Sequence, residues 1–295
     1  MGELTNVIAI GESLWDVFPD QQRLGGAPAN FAIHYAQLSG DNHSVTLISA
    51  VGDDDLGAAA LASINKTRVK TDLVSTVSYP TGQVIVTIAN DGSPSYDIAA
   101  DAAWDYLPDS EAAAKAASKA DAVCFGTLAQ RSLVSRAVIE QTVAATPKTC
   151  LRVLDINIRP TMNDPQVFGR SLEIANVLKL SDEELPVLAE QFSLTGDCQS
   201  QLRELQKRFD LTAIAYTRGE RGAILLRGEE ISHCEGIRAN VADTVGAGDA
   251  FTAAFTFGLL ENRSLDMINE RACKIAAFVC SQNGATPKVP SSVLA

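Results

Sequence analysis

Residues 121–157 read DAVCFGTLAQRSLVSRAVIEQTVAATPKTCLRVLDIN. Two short apolar runs, DAVCFG (121–126) and CLRVLDIN (150–157), flank a helix-like segment, Leu133–Ala144. Each run is bounded by Gly or polar residues and is mostly apolar at successive positions. That is the pattern of a strand buried on both faces. Strand, helix and strand in this order make a βαβ unit, whose two strands lie parallel. The same rhythm extends in both directions. Further strand-like runs are NVIAIG (6–11), VTLISAVG (45–52), NVLKLS (176–181) and LTAIAYT (211–217). Helix patterns cover 29–38, 56–66, 110–119, 199–209, 247–260 and 265–282. The expectation is an α/β fold with a mostly parallel sheet and helices on both faces.

Two stretches break the rhythm. Residues 79–99, YPTGQVIVTIANDGSPSYDIA, carry β character at 83–89 and 95–98, with a turn signal at Asn90-Asp91-Gly92-Ser93. Residues 12–24, ESLWDVFPDQQRL, are also strand-like, with turn residues at Pro19 and Asp20. A parallel sheet needs neither segment, so both are expected to leave it as a small second layer or lid. There is no linker, charge block or internal repeat. One domain over 1–295, with lid segments at about 12–24 and 79–106, accounts for the length.

The chain has 295 residues, 36 acidic against 24 basic, and a formal net charge of −12. A nucleic-acid binder needs a basic face to displace counterions, and an anionic membrane surface asks for the same. Neither partner is expected. Six cysteines occur without metal-site spacing and read as reduced thiols. The N-terminus enters a strand pattern at once, with no basic leader, and no apolar run is long enough to span a bilayer. These features predict a cytoplasmic, enzyme-sized protein.

Open α/β sheets hold their sites at the carboxyl ends of the strands. Here those ends carry Gly11-Glu12, Gly52-Asp53, Gly126-Thr127, Asn157-Ile158-Arg159, Ser181-Asp182-Glu183-Glu184 and Thr217-Arg218-Gly219. The most informative segment is Asp243-Thr-Val-Gly-Ala-Gly-Asp249, followed by the apolar run AFTAAFTFGLL. Gly246, Ala247 and Gly248 form the first turn of a buried helix, where free N–H groups make an anion site. Asp249 falls at the same place. A carboxylate there repels the anion, unless its task is to take a proton from an attacking hydroxyl. The competing reading is an Asp that stabilises the helix start. The local pattern supports the two equally.

Gly25-Gly26-Ala27-Pro28-Ala29-Asn30 precedes another helix; its glycines allow close approach and Asn30 can hold a polyol. Thr217-Arg-Gly-Glu-Arg-Gly222 reads first as a plain strand-to-strand turn. The chain lacks GxGxxG, GxxxxGK[ST] and GxSxG, which argues against a dinucleotide fold, a P-loop NTPase and a serine hydrolase.

GGAPAN near the start and DTVGAGDAF near the end resemble the two signatures of the ribokinase-like (PfkB) carbohydrate kinase family. GESLWDVFP, VGDDDLG, PTGQV, DINIRP, KLSDEE, YTRGERG and SQNGATP fall in the family's order, so the resemblance covers essentially the whole chain. It implies a three-layer α/β/α fold with a small β lid. It also implies transfer of the γ-phosphate of ATP to a sugar or nucleoside hydroxyl, with Mg²⁺ and often K⁺. By position, Asp249 resembles the catalytic base, and Gly246, Ala247 and Gly248 the anion hole. Asp16, Gly26 and Asn30 resemble sugar contacts. Thr217, Gly219, Gly222 and Asn283 resemble ATP contacts, and Asp243 and Val245 a monovalent-cation site. Glu184 resembles the acid that orders Mg²⁺ through water, although Ser181 stands where the family has Asn.

GESLWDVFP, PTGQV, Ala103-Trp104-Asp105 and DINIRP look most like fructokinases. Residues 11–22 and 79–109 contain no Lys or Arg, so the lid suits a neutral sugar rather than a sugar phosphate. Arg159 opposes this, since it could face a substrate carboxylate or the transferred phosphate. Trp15 and Trp104 could cover a sugar ring, with core packing the stronger reading. Ribokinase, nucleoside kinase and 2-keto-3-deoxygluconate kinase activities stand as alternatives, as does a binding protein without catalysis. The hairpin at 79–99 offers a free edge, and edges are usually paired, which predicts a homodimer through the lid.

Overall fold

The computed structural model describes residues 4–88, 94–159 and 164–294. The chain opens with β1 (Thr5–Ile10) and leaves at once for β2 (Leu14–Val17) and β3 (Gln22–Gly25). It returns through α1 (Ala27–Leu38), β4 (His43–Gly52), α2 (Asp55–Ile64) and β5 (Lys70–Val77), then leaves again for β6 (Gly82–Ile88) and β7 (Pro94–Ile98). Strand and helix then alternate: α3 (Glu111–Ala117), β8 (Ala122–Gly126), α4 (Leu133–Ala144), β9 (Leu151–Asp155), α5 (Pro165–Ile174) and β10 (Val177–Ser181). Helices α6 (Leu185–Phe192) and α7 (Cys198–Arg208) lead to β11 (Ala213–Thr217), β12 (Ala223–Arg227) and β13 (Glu230–Cys234). Helices α8 (Ala247–Leu260), α9 (Leu265–Cys280) and α10 (Ser291–Leu294) follow.

The main sheet runs β13-β12-β11-β10-β9-β8-β1-β4-β5. It is parallel from β5 to β11 and antiparallel across β12 and β13. Successive residues of β1 go to opposite faces. Val7 and Ala9 pack with α1, α8 and α9, whereas Ile8 and Ile10 pack with the layer that holds α3, α4 and α5. Three layers result, and both faces of the parallel strands are dry, as their continuous apolar runs require. The order reverses at β1: the chain first builds outward to β4 and β5, then crosses to β8. A crevice at the carboxyl ends of β1 and β8 follows from that reversal.

Helix starts follow the capping chemistry of the sequence. Asp54, Ser110, Ser132, Asp164, Asp197 and Ser264 each accept a backbone N–H in the first turn of α2, α3, α4, α5, α7 and α9. Helix α8 has no such cap and is buried from Ala250 to Gly258, so packing rather than capping holds it.

The second sheet has the order β3-β2-β6-β7, with antiparallel pairs at both ends. Leu14, Val84 and Val86 fill its inner side with Phe18 and Ile98. Both strand-like segments that interrupt the βα rhythm therefore meet in one lid, as expected. The turn signal at 90–93 lies outside the described residues. The lid ends earlier than 106, because Ala102, Ala103, Trp104 and Leu107 belong to the main core. Trp104 is fully buried, and its ring lies beneath the Arg131 guanidinium at 3.9 Å. Trp15 packs on Val51 and Ala60 and donates Nε1–H to Leu56 O at 3.0 Å. Both tryptophans are core residues rather than sugar platforms.

Three elements have weak local signals. Helices α5 and α6 are short and start with Pro at N1 or N2. Strand β5, KTDLVSTV, lies at the sheet edge and is mostly half-exposed.

Candidate active site

Several chain segments meet at the carboxyl ends of the central strands. Glu12 follows β1 and is buried, with 2% of its surface exposed. Its Oε1 accepts the Ala27 N–H at 3.1 Å, at the start of α1. Burial pushes its carboxyl up to about 7, with Asp249 adding and Arg159 opposing. Gly26, at φ +103°, caps α1, and a Cβ there would lie 2.5 Å from Glu12 O. Only glycine lets the two segments approach so closely. Gly25 is small for a related reason: a Cβ would fall 2.5 Å from Asp16 Oδ2. Asp16, on β2, therefore hangs over the Gly-Gly loop. Burial raises its carboxyl to about 6; Arg159 and Arg23 oppose that rise, while Asp243 adds to it.

Asn30 lies in the first turn of α1 and is 3% exposed. Its Nδ2–H donates to Asp249 Oδ2 at 2.8 Å. Asp249 is in the first turn of α8. Burial, then Asp155, raises its carboxyl to about 6, against the opposing effects of Asn30, Lys179 and Arg159. A carboxyl poised near neutral pH suits a general base.

The turn before it differs in detail from the expected anion hole. Gly246 caps α8 at φ +80°, and its missing Cβ admits Ala285 O, which would otherwise lie at 2.1 Å. The Ala247 N–H turns back to Thr244 O at 3.3 Å, and Ala250 N–H begins the helical ladder on Gly246 O. Among the described residues, the amides of Gly248 and Asp249 have no hydrogen-bond partner. These two, with the helix end, are the free donors. Ala247 is spent on its own turn.

A cation lies directly behind them. Lys179 is a neighbour of Asp155 in the register of β10 and β9, and its Nζ–H donates to Asp155 Oδ1 at 3.0 Å. A Cβ on Gly248 would be 3.3 Å from that Nζ. Thr252 Oγ1–H donates to Asp155 Oδ2 at 2.8 Å and tethers the pair to α8. Burial opposes the lysine's charge, but Asp155, Glu184 and Asp249 outweigh it and hold Lys179 above its ordinary value.

The loop after β11 reaches the same edge. Thr217 ends β11 and its Oγ1–H donates to Leu180 O at 3.3 Å. Gly219 has φ +55° with open space where a side chain would stand; Gly222, at φ +81°, is crowded by Cys234 O. The glycine at 222 thus serves the hairpin, whereas that at 219 leaves room for a ligand. Asn283 is exposed in the loop after α9. Arg159 is also exposed, yet acts through space on Glu12, Asp16 and Asp249.

The Asp243 carboxylate, expected with Val245 at a monovalent-cation site, is held by protein donors. Its Oδ2 accepts from Arg23 Nη1 at 2.5 Å and from Gly284 N at 3.1 Å, and its Oδ1 accepts from Val245 N at 3.0 Å. The Arg23 guanidinium already supplies the countercharge. Glu184 accepts Ile158 N–H on Oε1 at 2.8 Å and Ser181 N–H on Oε2 at 2.7 Å. Each oxygen keeps one lone pair, enough to hold a water but not to form a protein cage. Among the described residues, no group of three or more His, Cys, Asp or Glu side chains could hold a metal.

The model of the pfkB family carbohydrate kinases matches residues 8–292. The chain belongs to the PfkB family of carbohydrate kinases. A fructokinase of Klebsiella pneumoniae is 30% identical over 294 residues, 95% of this chain and 92% of that one. An ATP-dependent 6-phosphofructokinase of Thermoanaerobacterium thermosaccharolyticum is 27% identical, covering 97% of this chain and 91% of the other. Among solved structures, the Xylella fastidiosa fructokinase with bound ATP superposes with a TM-score of 0.87 at 23% identity, over 98% and 97% of the two chains. The PfkB chain therefore has the ribokinase-like three-layer fold and is a sugar kinase in class. No helix among the described residues is long and apolar enough to cross a membrane.

Sequence reading missed several residues at this site. Lys179 carried a signal, being a charge in the middle of the buried run NVLKLS. Glu12 was visible only as one polar residue after a strand. Arg23 lies one residue beyond the cation-free segment 11–22, and it sits on lid strand β3. The lid is thus not free of cations, but its cation is paired with Asp243.

Proposed function

We propose that this PfkB kinase transfers the γ-phosphate of ATP to a hydroxyl of a neutral hexose, D-fructose, to give fructose 6-phosphate. The observation that carries the reading is Asp249: a half-buried carboxylate at the head of α8, beside free amides and held by Asn30 at 2.8 Å. The sugar hydroxyl gives its proton to Asp249 as its oxygen bonds to the γ-phosphorus. The bond to the β-bridging oxygen breaks, and ADP leaves with that electron pair. The amides of Gly248 and Asp249, with Lys179 behind them, neutralise charge on the transferred group. Asp16, Gly26 and Asn30 line the sugar side; Thr217, Gly219 and Asn283 line the nucleotide side. Mg²⁺ bound with ATP would screen its phosphates, and Glu184 would hold one of its waters.

The neutral acceptor is argued from charge. The four lid strands contain one cation, Arg23, and Asp243 neutralises it. Asp16, which faces the Gly-Gly loop, would repel a phosphate. Arg159 is left for the γ-phosphate. A ligand-binding protein without catalysis has no use for a carboxylate beside an anion hole. The free edge strands β3 and β7 also suit pairing with a second copy, testable by light scattering at micromolar concentration. The deciding experiment is a coupled ADP-release screen over fructose, fructose 6-phosphate, ribose, adenosine and 2-keto-3-deoxygluconate. The proposal requires the highest kcat/KM on fructose. Equal or better turnover of fructose 6-phosphate would remove the neutral-sugar assignment, and no turnover of any acceptor would remove the kinase assignment.

A further inference from the structure

We propose that Glu12 is a sugar-binding residue, its Oε2 accepting a hydrogen bond from a sugar hydroxyl that does not react. The inference rests on the sugar-kinase reading above and adds a specificity contact to it. Glu12 stands where the strand order reverses, between β1 and the Gly-Gly loop, at the position where an open α/β sheet forms its ligand crevice. It is 2% exposed, and one oxygen is used: Oε1 takes the Ala27 N–H. Among the described residues, Oε2 is buried without any partner. An unpaired buried carboxylate oxygen is costly, and native structures rarely keep one without a purpose.

The first turn of α1 carries a second orphan. Asn30 spends its Nδ2–H on Asp249, and its Oδ1 is likewise buried without a partner. Glu12 and Asn30 are joined through the first turn of α1, since Glu12 holds Ala27 and the Asn30 N–H closes that turn on Gly26 O. The two orphans and the Asp249 carboxylate are acceptor oxygens, while the free donors of the site, the Gly248 and Asp249 amides, lie at the head of α8. The ligand that satisfies the acceptors is one rich in O–H donors, a polyol. A phosphate or a carboxylate, which only accepts when ionised, would leave them unpaired.

Glu12→Gln separates this role from a structural one. The glutamine Oε1 keeps the Ala27 N–H, while its NH₂ puts a donor where Oε2 accepted. The expected result is an unchanged melting temperature and ATP KM, kcat within a few-fold, and a fructose KM raised about 10- to 100-fold. Monodeoxy fructoses close the argument. One of them should cost wild type the same factor and cost Glu12→Gln nothing further, because the shared hydrogen bond is already gone. If Glu12→Gln does not fold, Glu12→Asp, which keeps the charge but withdraws the carboxylate, should show the same fructose KM shift. A lowered melting temperature with an unchanged fructose KM makes Glu12 a purely structural support of α1 and overturns the proposal. Wild-type turnover of no sugar in the screen overturns the kinase reading and this one with it. Normal wild-type turnover with no effect of either variant on KM overturns this one alone.

Discussion

Asn30 donates its Nδ2–H to Asp249 Oδ2 at 2.8 Å, across 219 residues of chain. This one hydrogen bond ties the first turn of α1 to the first turn of α8, so the Gly-Gly loop and the anion-binding turn share a wall. It also orients the carboxylate assigned the base role.

Asp249→Asn keeps the size and the polar reach of the side chain but removes its basicity. kcat should fall by about 10² to 10⁴, the ordinary contribution of a general base. ATP binding, followed by thermal shift, should persist. An Asp that merely stabilises the helix start would lose little activity on this change. Near-wild-type kcat in a folded variant therefore ends the catalytic assignment.

The pH dependence has a definite sign. Asp249 is raised from its ordinary value to about 6, chiefly by burial, and must be ionised to accept a proton. Activity should be present above that value and lost as pH falls through it, so log kcat/KM should bend downward near pH 6. The stability effect runs the other way. A carboxyl with a raised pKa stabilises the fold below its unfolded value and loses that contribution as pH rises through about 6. Asp249→Asn should therefore melt higher than wild type at pH 8, by up to about 3 kcal/mol, with the advantage shrinking toward pH 5. Melting curves at the two pH values check it.

Lys179 and Asp155 form a buried pair 3.0 Å apart within the sheet. Lys179→Met removes the cation and strands a carboxylate in the core, which should cost about 3–5 kcal/mol. Adding Asp155→Asn should recover much of that stability. Because Nζ also backs Gly248, catalysis should stay impaired in the recovered double variant. A double variant with both stability and kcat restored would confine Lys179 to packing.

Arg23 occupies the carboxylate on which a monovalent cation was expected. Replacing K⁺ by tetramethylammonium at constant ionic strength should leave the wild-type rate unchanged. Arg23→Gln frees Asp243, and a dependence on K⁺ should then emerge in steady-state kinetics. Strong K⁺ activation of the wild type would contradict the substitution of Arg23 for the ion.

Most of the strands and helices and the class of fold were legible because their signals are local. Period, caps and turns are written within a few residues: Leu133–Ala144 and Ala247–Leu260 are helices over the span their patterns indicate. The excursions at 12–24 and 79–99 were legible for the same reason. The two terminal motifs likewise carry Asn30 and Asp249 on their own turns. What surrounds them was not local. Lys179 meets Asp155 because β10 lies beside β9 in a given register, and Arg23 meets Asp243 because the lid folds back over the loop before α8. Trp104 reads more strongly as core than as a ring platform, but only the main core shows which neighbours enclose it. Each of these contacts depends on the order of the sheet and the seat of the lid. Those are set by the sum of many weak burial terms across the whole chain rather than by the residues that meet.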